Sequence, residues 1–165
     1  MIRAARLALL ALGLAPSASA QGLLFDFTLT TRCVEAASSW ETQMACIGTS
    51  AGACMDANQG GYSTYGQAEC FGAEHEAWDA WLNRLYPQLT EVSQASDADR
   101  LPGAPSQVEA LREMQRAWIT YRDRSCAFEA AVFGGGTGAG PAYAGCLMVE
   151  TGEQVLRLNG FVGQP

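Results

Sequence analysis

The chain has 165 residues, with 10 basic and 17 acidic side chains and a single histidine. Its first 20 residues have the form of an export signal: Arg3 and Arg6 precede the apolar run Leu7 to Ala15, and Ala18-Ser19-Ala20 supplies the small residues that signal peptidase needs. Cleavage near Ala20 leaves 8 basic residues against 17 acids, a net charge of −9, which argues against nucleic acid and anionic membrane surfaces and favours basic partners.

The apolar run is too short to cross a bilayer and no second one follows, so no membrane insertion is expected. Residues 21–165 are expected to form one exported, periplasmic or secreted domain, long enough to bury a core. The chain contains no lysine, which excludes a Walker-type phosphate loop and any Schiff-base chemistry. Six cysteines in an exported chain point to three disulfides. Their closest spacing, Cys46 to Cys54, is eight residues, which does not suit a metal site.

In chain order, a brief alternating pattern over Leu24 to Thr30 is the only strand-like stretch. Ser38-x-x-Glu41 has the form of a capping box and predicts a helix running towards Met55, ended by Asn58-Gln59-Gly60-Gly61. Thr64-x-x-Gln67 predicts a second helix to about Ser93, with Pro87 kinking it on its solvent side. Pro102 to Pro105 punctuates the next gap, and Ser106-x-x-Glu109 opens a third helix to Phe133. A run from Gly134 to Gly140 breaks it, and Pro141 suits the first position of a last helix. The expected fold is all-α: a small disulfide-stapled antiparallel bundle of about four helices.

Depth in each hairpin proposes the cysteine pairs. Cys126 stands seven residues before Phe133, where the break starts, and Cys146 six residues after its end at Gly140, at similar height in an antiparallel pair. Cys54 and Cys70 are placed evenly about the turn near Tyr62, and Cys33 and Cys46 flank the turn at Ser38-Ser39. Each bridge is expected to stabilise by ~2–4 kcal/mol, mostly by restricting the unfolded chain.

At 100° per residue, Val108, Leu111, Met114, Trp118, Tyr121, Phe128 and Val132 share one arc of the third helix and are expected to face the core. Arg122 and Glu129 fall within that arc, and a charge facing a core needs a partner. On the second helix Trp78, Trp81, Leu82, Leu85, Tyr86 and Leu89 form the apolar arc with Asp79 at its edge. Asp79 to Arg122 is the expected cross-helix pair, with Glu129 the other candidate. His75, also on this arc, is expected to be packed and hydrogen-bonded, and Trp40 to serve packing.

Catalytic constellations are missing from the sequence. Glu74-His75-Glu76 has no second histidine four residues on, and there is no nucleophile elbow or dinucleotide fingerprint. No catalytic residue, cofactor or metal site is therefore expected.

The run Trp78-Asp79-Ala80-Trp81-Leu82-Asn83-Arg84-Leu85-Tyr86 is followed by Leu111-Arg112-Glu113-Met114-Gln115-Arg116-Ala117-Trp118-Ile119-Thr120-Tyr121-Arg122-Asp123-Arg124-Ser125-Cys126, then by Gly134-Gly135 and Cys146-Leu147. In order and spacing this resembles the LprI-type lysozyme-inhibitor family, from about Cys70 to Leu158. The family-motif positions are Trp78, Asp79, Leu82, Asn83, Tyr86, Trp118, Tyr121, Arg122 and Asp123. Thr151 fits the pattern's final threonine, whereas Gln154 stands where the pattern has arginine, and the segment from Cys33 to Gly61 is longer than the family's entry region. The resemblance implies an exported protein that binds a cationic lysozyme and protects peptidoglycan. Candidate contact loops are Gly134, Gly135, Gly136, Thr137 and Gly138, and the turn from Gly60 to Tyr65. The alternative is a non-catalytic periplasmic binding or scaffold module with acidic charge for solubility; a cell-wall glycan hydrolase is a distant third. Oligomeric state is left open.

Overall fold

The structure is a computed structural model that describes residues 22–162; the expected signal segment lies outside them. Six α-helices and no strand occur among the described residues: α1 (Thr28–Ala36), α2 (Trp40–Met44), α3 (Thr49–Ala57), α4 (Thr64–Ala98), α5 (Gln107–Ala131) and α6 (Ala139–Asn159). The fold is all-α, with three cysteine pairs at disulfide distance: Cys33–Cys46, Cys54–Cys70 and Cys126–Cys146, with Cα separations of 5.6, 5.7 and 5.3 Å.

Three long helices carry the frame. Helices α4 and α6 run in the same direction: Gly145 packs beside the Phe71 ring near their starts, while Leu89 and Val92 share a pocket with Phe161 near their ends. Helix α5 returns antiparallel to both, and α1 to α3 are joined to α4 and α6 through the remaining core. The i, i+4 stripe Cys70, Glu74, Trp78, Leu82, with Leu85 and Leu89 after it, is the buried side of α4. It meets Met148, Val155, Leu156 and Leu158 of α6 and Val34 and Ala51 of the short helices. Trp78 stacks on Trp81 at 5.4 Å between centroids, and Phe27 meets Trp78 edge-on at 5.2 Å.

The structure corrects several sequence expectations. Leu24 to Thr30 forms no strand; Thr28 instead begins α1. The helix expected from Ser38 to Met55 is two helices. Its cap is Ser39, whose hydroxyl accepts from Thr42 N while the Thr42 hydroxyl accepts from Ser39 N. It breaks at Gly48, whose φ of +95° is a left-handed conformation that glycine adopts without the Cβ penalty. At α4 the cap is Ser63, one residue before the expected Thr64, and the helix continues past Ser93 to Ala98. Pro87 lies inside α4 on its exposed side. Ser106 does cap α5, accepting from Glu109 N at 3.2 Å. Beyond it, Asp97 at the end of α4 accepts from Gln107 N at 2.8 Å, Val108 N at 3.2 Å and the Ser106 hydroxyl at 2.6 Å, tying the α4–α5 hairpin at its turn. Trp40, expected to pack, is exposed as the first residue of α2.

Candidate functional site

A buried polar centre organises the short helices. Glu74 is fully buried, and four donors converge on its carboxylate: Gly48 N at 2.8 Å, Ala51 N at 2.6 Å, the Thr30 hydroxyl at 3.1 Å and the Trp78 indole at 3.1 Å. Two of these donors belong to the start of α3, where free backbone N–H groups and the helix dipole favour a carboxylate. The Thr30 and Ser50 hydroxyls bond each other at 2.8 Å beside it. Every donor is supplied by the fold itself, so the arrangement locks α1 and α3 onto α4 and presents nothing to solvent. Its sequence signal was Glu74 standing midway between Cys70 and Trp78 on the α4 stripe.

Arg122 does not meet Asp79. Its guanidinium bonds the neighbouring Asp123 at 2.8 Å and lies 4.9 Å above the Trp118 ring, with the side chain 15% exposed. Asp79 accepts instead from Asn83 one turn along α4 at 2.8 Å, and Glu129 is exposed. Stacking on an indole shields a guanidinium without the cost of a fully buried ion pair, which is why the cross-helix partner was not needed. His75 is half-buried, and its Nε2 is buried without a hydrogen-bond partner, against the expectation of a bonded ring. Burial, and then the Arg122 charge, push its pKa below the ordinary imidazole value.

The apolar arc expected to bury α5 is largely uncovered. Leu111 and Trp118 pack on the core, but Tyr121, Phe128 and Val132 are 60%, 73% and 71% exposed, and Met114 is exposed as well. Cys126 is the one fully buried residue of this helix. Periodicity identified the apolar arc; the width of the face that α4 and α6 actually cover is a tertiary property.

The two candidate loops share one end of the molecule, since Gly140 of α6 faces Ala68 of α4. The glycine loop is a tight turn. Gly134 and Gly135 take φ of +57° and +83°, Gly136 N donates to Phe133 O at 2.8 Å, and a Cβ on Gly138 would lie 2.4 Å from the Phe133 ring. Gly134, Gly135, Gly136 and Thr137 are exposed, but only Thr137 brings a side chain. In the other turn Tyr62 and Tyr65 are exposed, and the Tyr62 hydroxyl donates to Asp56, which raises the phenol's pKa.

Sequence reasoning missed the groove between α5 and α6. Met114, Trp118 and Tyr121 line one wall of a cleft of about 490 Å³ and Glu150, Glu153 and Arg157 the other. A second cleft of about 340 Å³ continues it towards the glycine turn; Glu150 lines both, and Glu129 lines the second. Desolvation, then the Glu153 and Glu129 charges, raise the Glu150 pKa. Arg122 to Asp123 is the one ion pair within 4.0 Å among the described residues, so these three acids have no cationic partner. The available signal was an acid pair three residues apart on the last helix, which gains meaning only once α6 is laid against the Trp118–Tyr121 side of α5. No group of three or more His, Cys, Asp or Glu able to hold a metal ion occurs among the described residues.

Among the described residues six helices are stapled by three disulfides, with Trp78 and Leu82 of the motif in the core and Trp118 and Tyr121 lining the cleft, which defines a small disulfide-linked helical protein. Residues 54–158 match the lysozyme inhibitor LprI family, well over half of the chain, and the chain belongs to that family. It is also 33% identical over 93 residues to an uncharacterized protein of Rhizobium meliloti (strain 1021), covering 54% of this chain and 67% of that one. No solved structure matches it. No helix among the described residues is long and apolar enough to cross a membrane.

Proposed function

We propose that this chain is an exported protein, cleaved near Ala20 and folded over residues 21–165 as one domain, that binds a cationic lysozyme and inhibits it without catalysing any reaction. Family membership over residues 54–158 carries the reading. Charge supports it independently: 17 acids against 8 basic residues in the mature chain steer a basic enzyme towards this surface, raising the association rate more than the final affinity. The cysteine pairs suit an oxidising compartment, and a stapled scaffold lowers the ordering cost of binding.

The test is lysis of bacterial cells by a chicken-type lysozyme, followed by turbidity, with and without the oxidised mature protein. Dose-dependent protection that weakens as salt screens the charges is the expected result. Lysis unchanged at micromolar excess of the protein, with chicken-type and goose-type enzymes alike, would leave a non-catalytic periplasmic module with some other partner.

A further inference from the structure

We infer that the α5–α6 groove is a docking surface for a basic protein segment, with Glu150 and Glu153 receiving an arginine or lysine side chain of the partner and Tyr121 lying against it. This rests on the reading of the chain as a binder of a cationic protein, and it moves the contact from the glycine turn to the groove.

Shape, charge and exposure converge there. The cleft of about 490 Å³ has an aromatic wall, Trp118 and Tyr121, facing a carboxylate wall, Glu150 and Glu153, and it continues past Glu129. An aromatic face and a carboxylate on opposite sides suit a guanidinium, which stacks on one and forms paired hydrogen bonds with the other. Neither acid is paired with an internal cation within 4.0 Å among the described residues. Arg157 lines the cleft without an ion pair to either acid, and Arg122 is engaged by Asp123 and Trp118 on its own helix. The aromatic side of the cleft is open to solvent, with Tyr121 60% exposed and Met114 exposed beside it. Glu150 lines both clefts and feels the Glu153 and Glu129 charges, a repulsion that an arriving cation would offset. By contrast the glycine turn, with one side chain among five residues, offers a partner little to grip.

The experiment pairs Glu150→Gln/Glu153→Gln and Tyr121→Ala with a loop variant, Thr137→Arg, in the oxidised mature protein. An acetylated, amidated Arg-Gly-Arg-Gly peptide is titrated and followed by amide NMR shifts, and lysozyme binding is measured in parallel. The expected result is peptide shifts clustered over residues 114–121 and 150–157, lost in the double Gln variant. Lysozyme affinity should fall about tenfold or more in the double variant, fall in Tyr121→Ala, and stay within a factor of about three in Thr137→Arg. The double variant should melt no lower than the parent, which separates loss of a contact from loss of the fold. Lysozyme binding that survives the double substitution, or peptide shifts absent from the groove, overturns the groove while leaving the lysozyme reading intact. Peptide shifts in the groove without lysozyme binding retain the groove and remove lysozyme as its partner.

Discussion

Ala51 N donates to the Glu74 Oε2 at 2.6 Å and Gly48 N to the Oε1 at 2.8 Å, so one carboxylate from α4 caps the start of α3 from inside the core. No side chain of the loop before α3 does this work, since its N-cap residue is Gly48. The kink that splits the expected helix and the buried acid are thus one feature: the chain turns at Gly48 so that the α3 N–H groups face Glu74. Glu74→Gln turns one of two acceptor oxygens into a donor, placing an N–H against Ala51 N or against Gly48 N. Breaking such a buried set is expected to cost about 3–5 kcal/mol. Denaturant unfolding measures it, and a loss under about 1 kcal/mol would mean the carboxylate is not the centre of this network.

For Arg122 the outcome differs from the one its place on the apolar arc suggested. A core-facing arginine paired across helices would cost several kcal/mol to remove. Here the guanidinium bonds Asp123, which is half exposed, and stacks on Trp118. Arg122→Ala is therefore expected to cost about 1 kcal/mol, from stacking and lost packing of its methylenes. A double-mutant cycle with Asp79→Asn should give a coupling below about 0.5 kcal/mol. Coupling of 2 kcal/mol or more would restore the cross-helix pair.

The contrast between α4 and α5 shows what local pattern can carry. On α4 the apolar arc named four residues that are buried, Trp78, Leu82, Leu85 and Leu89, and two that are half-buried, Trp81 and Tyr86, because neighbours cover that side along its length. Cysteine pairing followed from hairpin depth for the same reason: chain geometry around a short turn is local. On α5 the same rule named Phe128 and Val132, which solvent reaches because α4 and α6 cover only part of that arc. Capping motifs erred by one residue where two hydroxyl residues stand together, as at Ser38-Ser39 and Ser63-Thr64, since either can serve the cap. The groove was least legible, because Tyr121 and Glu150 line one cleft from two different helices and neither is unusual within its own helix.

His75 makes stability depend on pH near neutrality. Its imidazole is held below the ordinary value of 6.5, first by burial and then by the Arg122 charge, while Asp79, Glu76 and Asp123 pull the other way. The fold thus keeps the ring neutral, and the unfolded chain takes up the proton first as pH falls through 6.5. Between those two values the unfolded state binds more protons, so stability decreases with acid, by less than the single-proton limit of about 1.4 kcal/mol per pH unit because the ring is half-buried. Above about pH 7.5 this group contributes no slope. Glu150 acts with the opposite sign: its raised pKa means the fold takes up the proton first as pH falls towards 4.5, which adds stability. Asp97, whose pKa is lowered chiefly by the Ser106 hydroxyl, costs the fold stability only as pH falls below about 3.8. Between pH 7.5 and 5.5 the histidine and the raised Glu150 act with opposite signs, so the difference in slope between the parent and a His75 variant isolates the imidazole. His75→Leu, which also removes the unpartnered Nε2, should flatten the melting temperature across that window without lowering it at pH 7.5. An equal slope in parent and variant would show that the imidazole titrates freely in the fold.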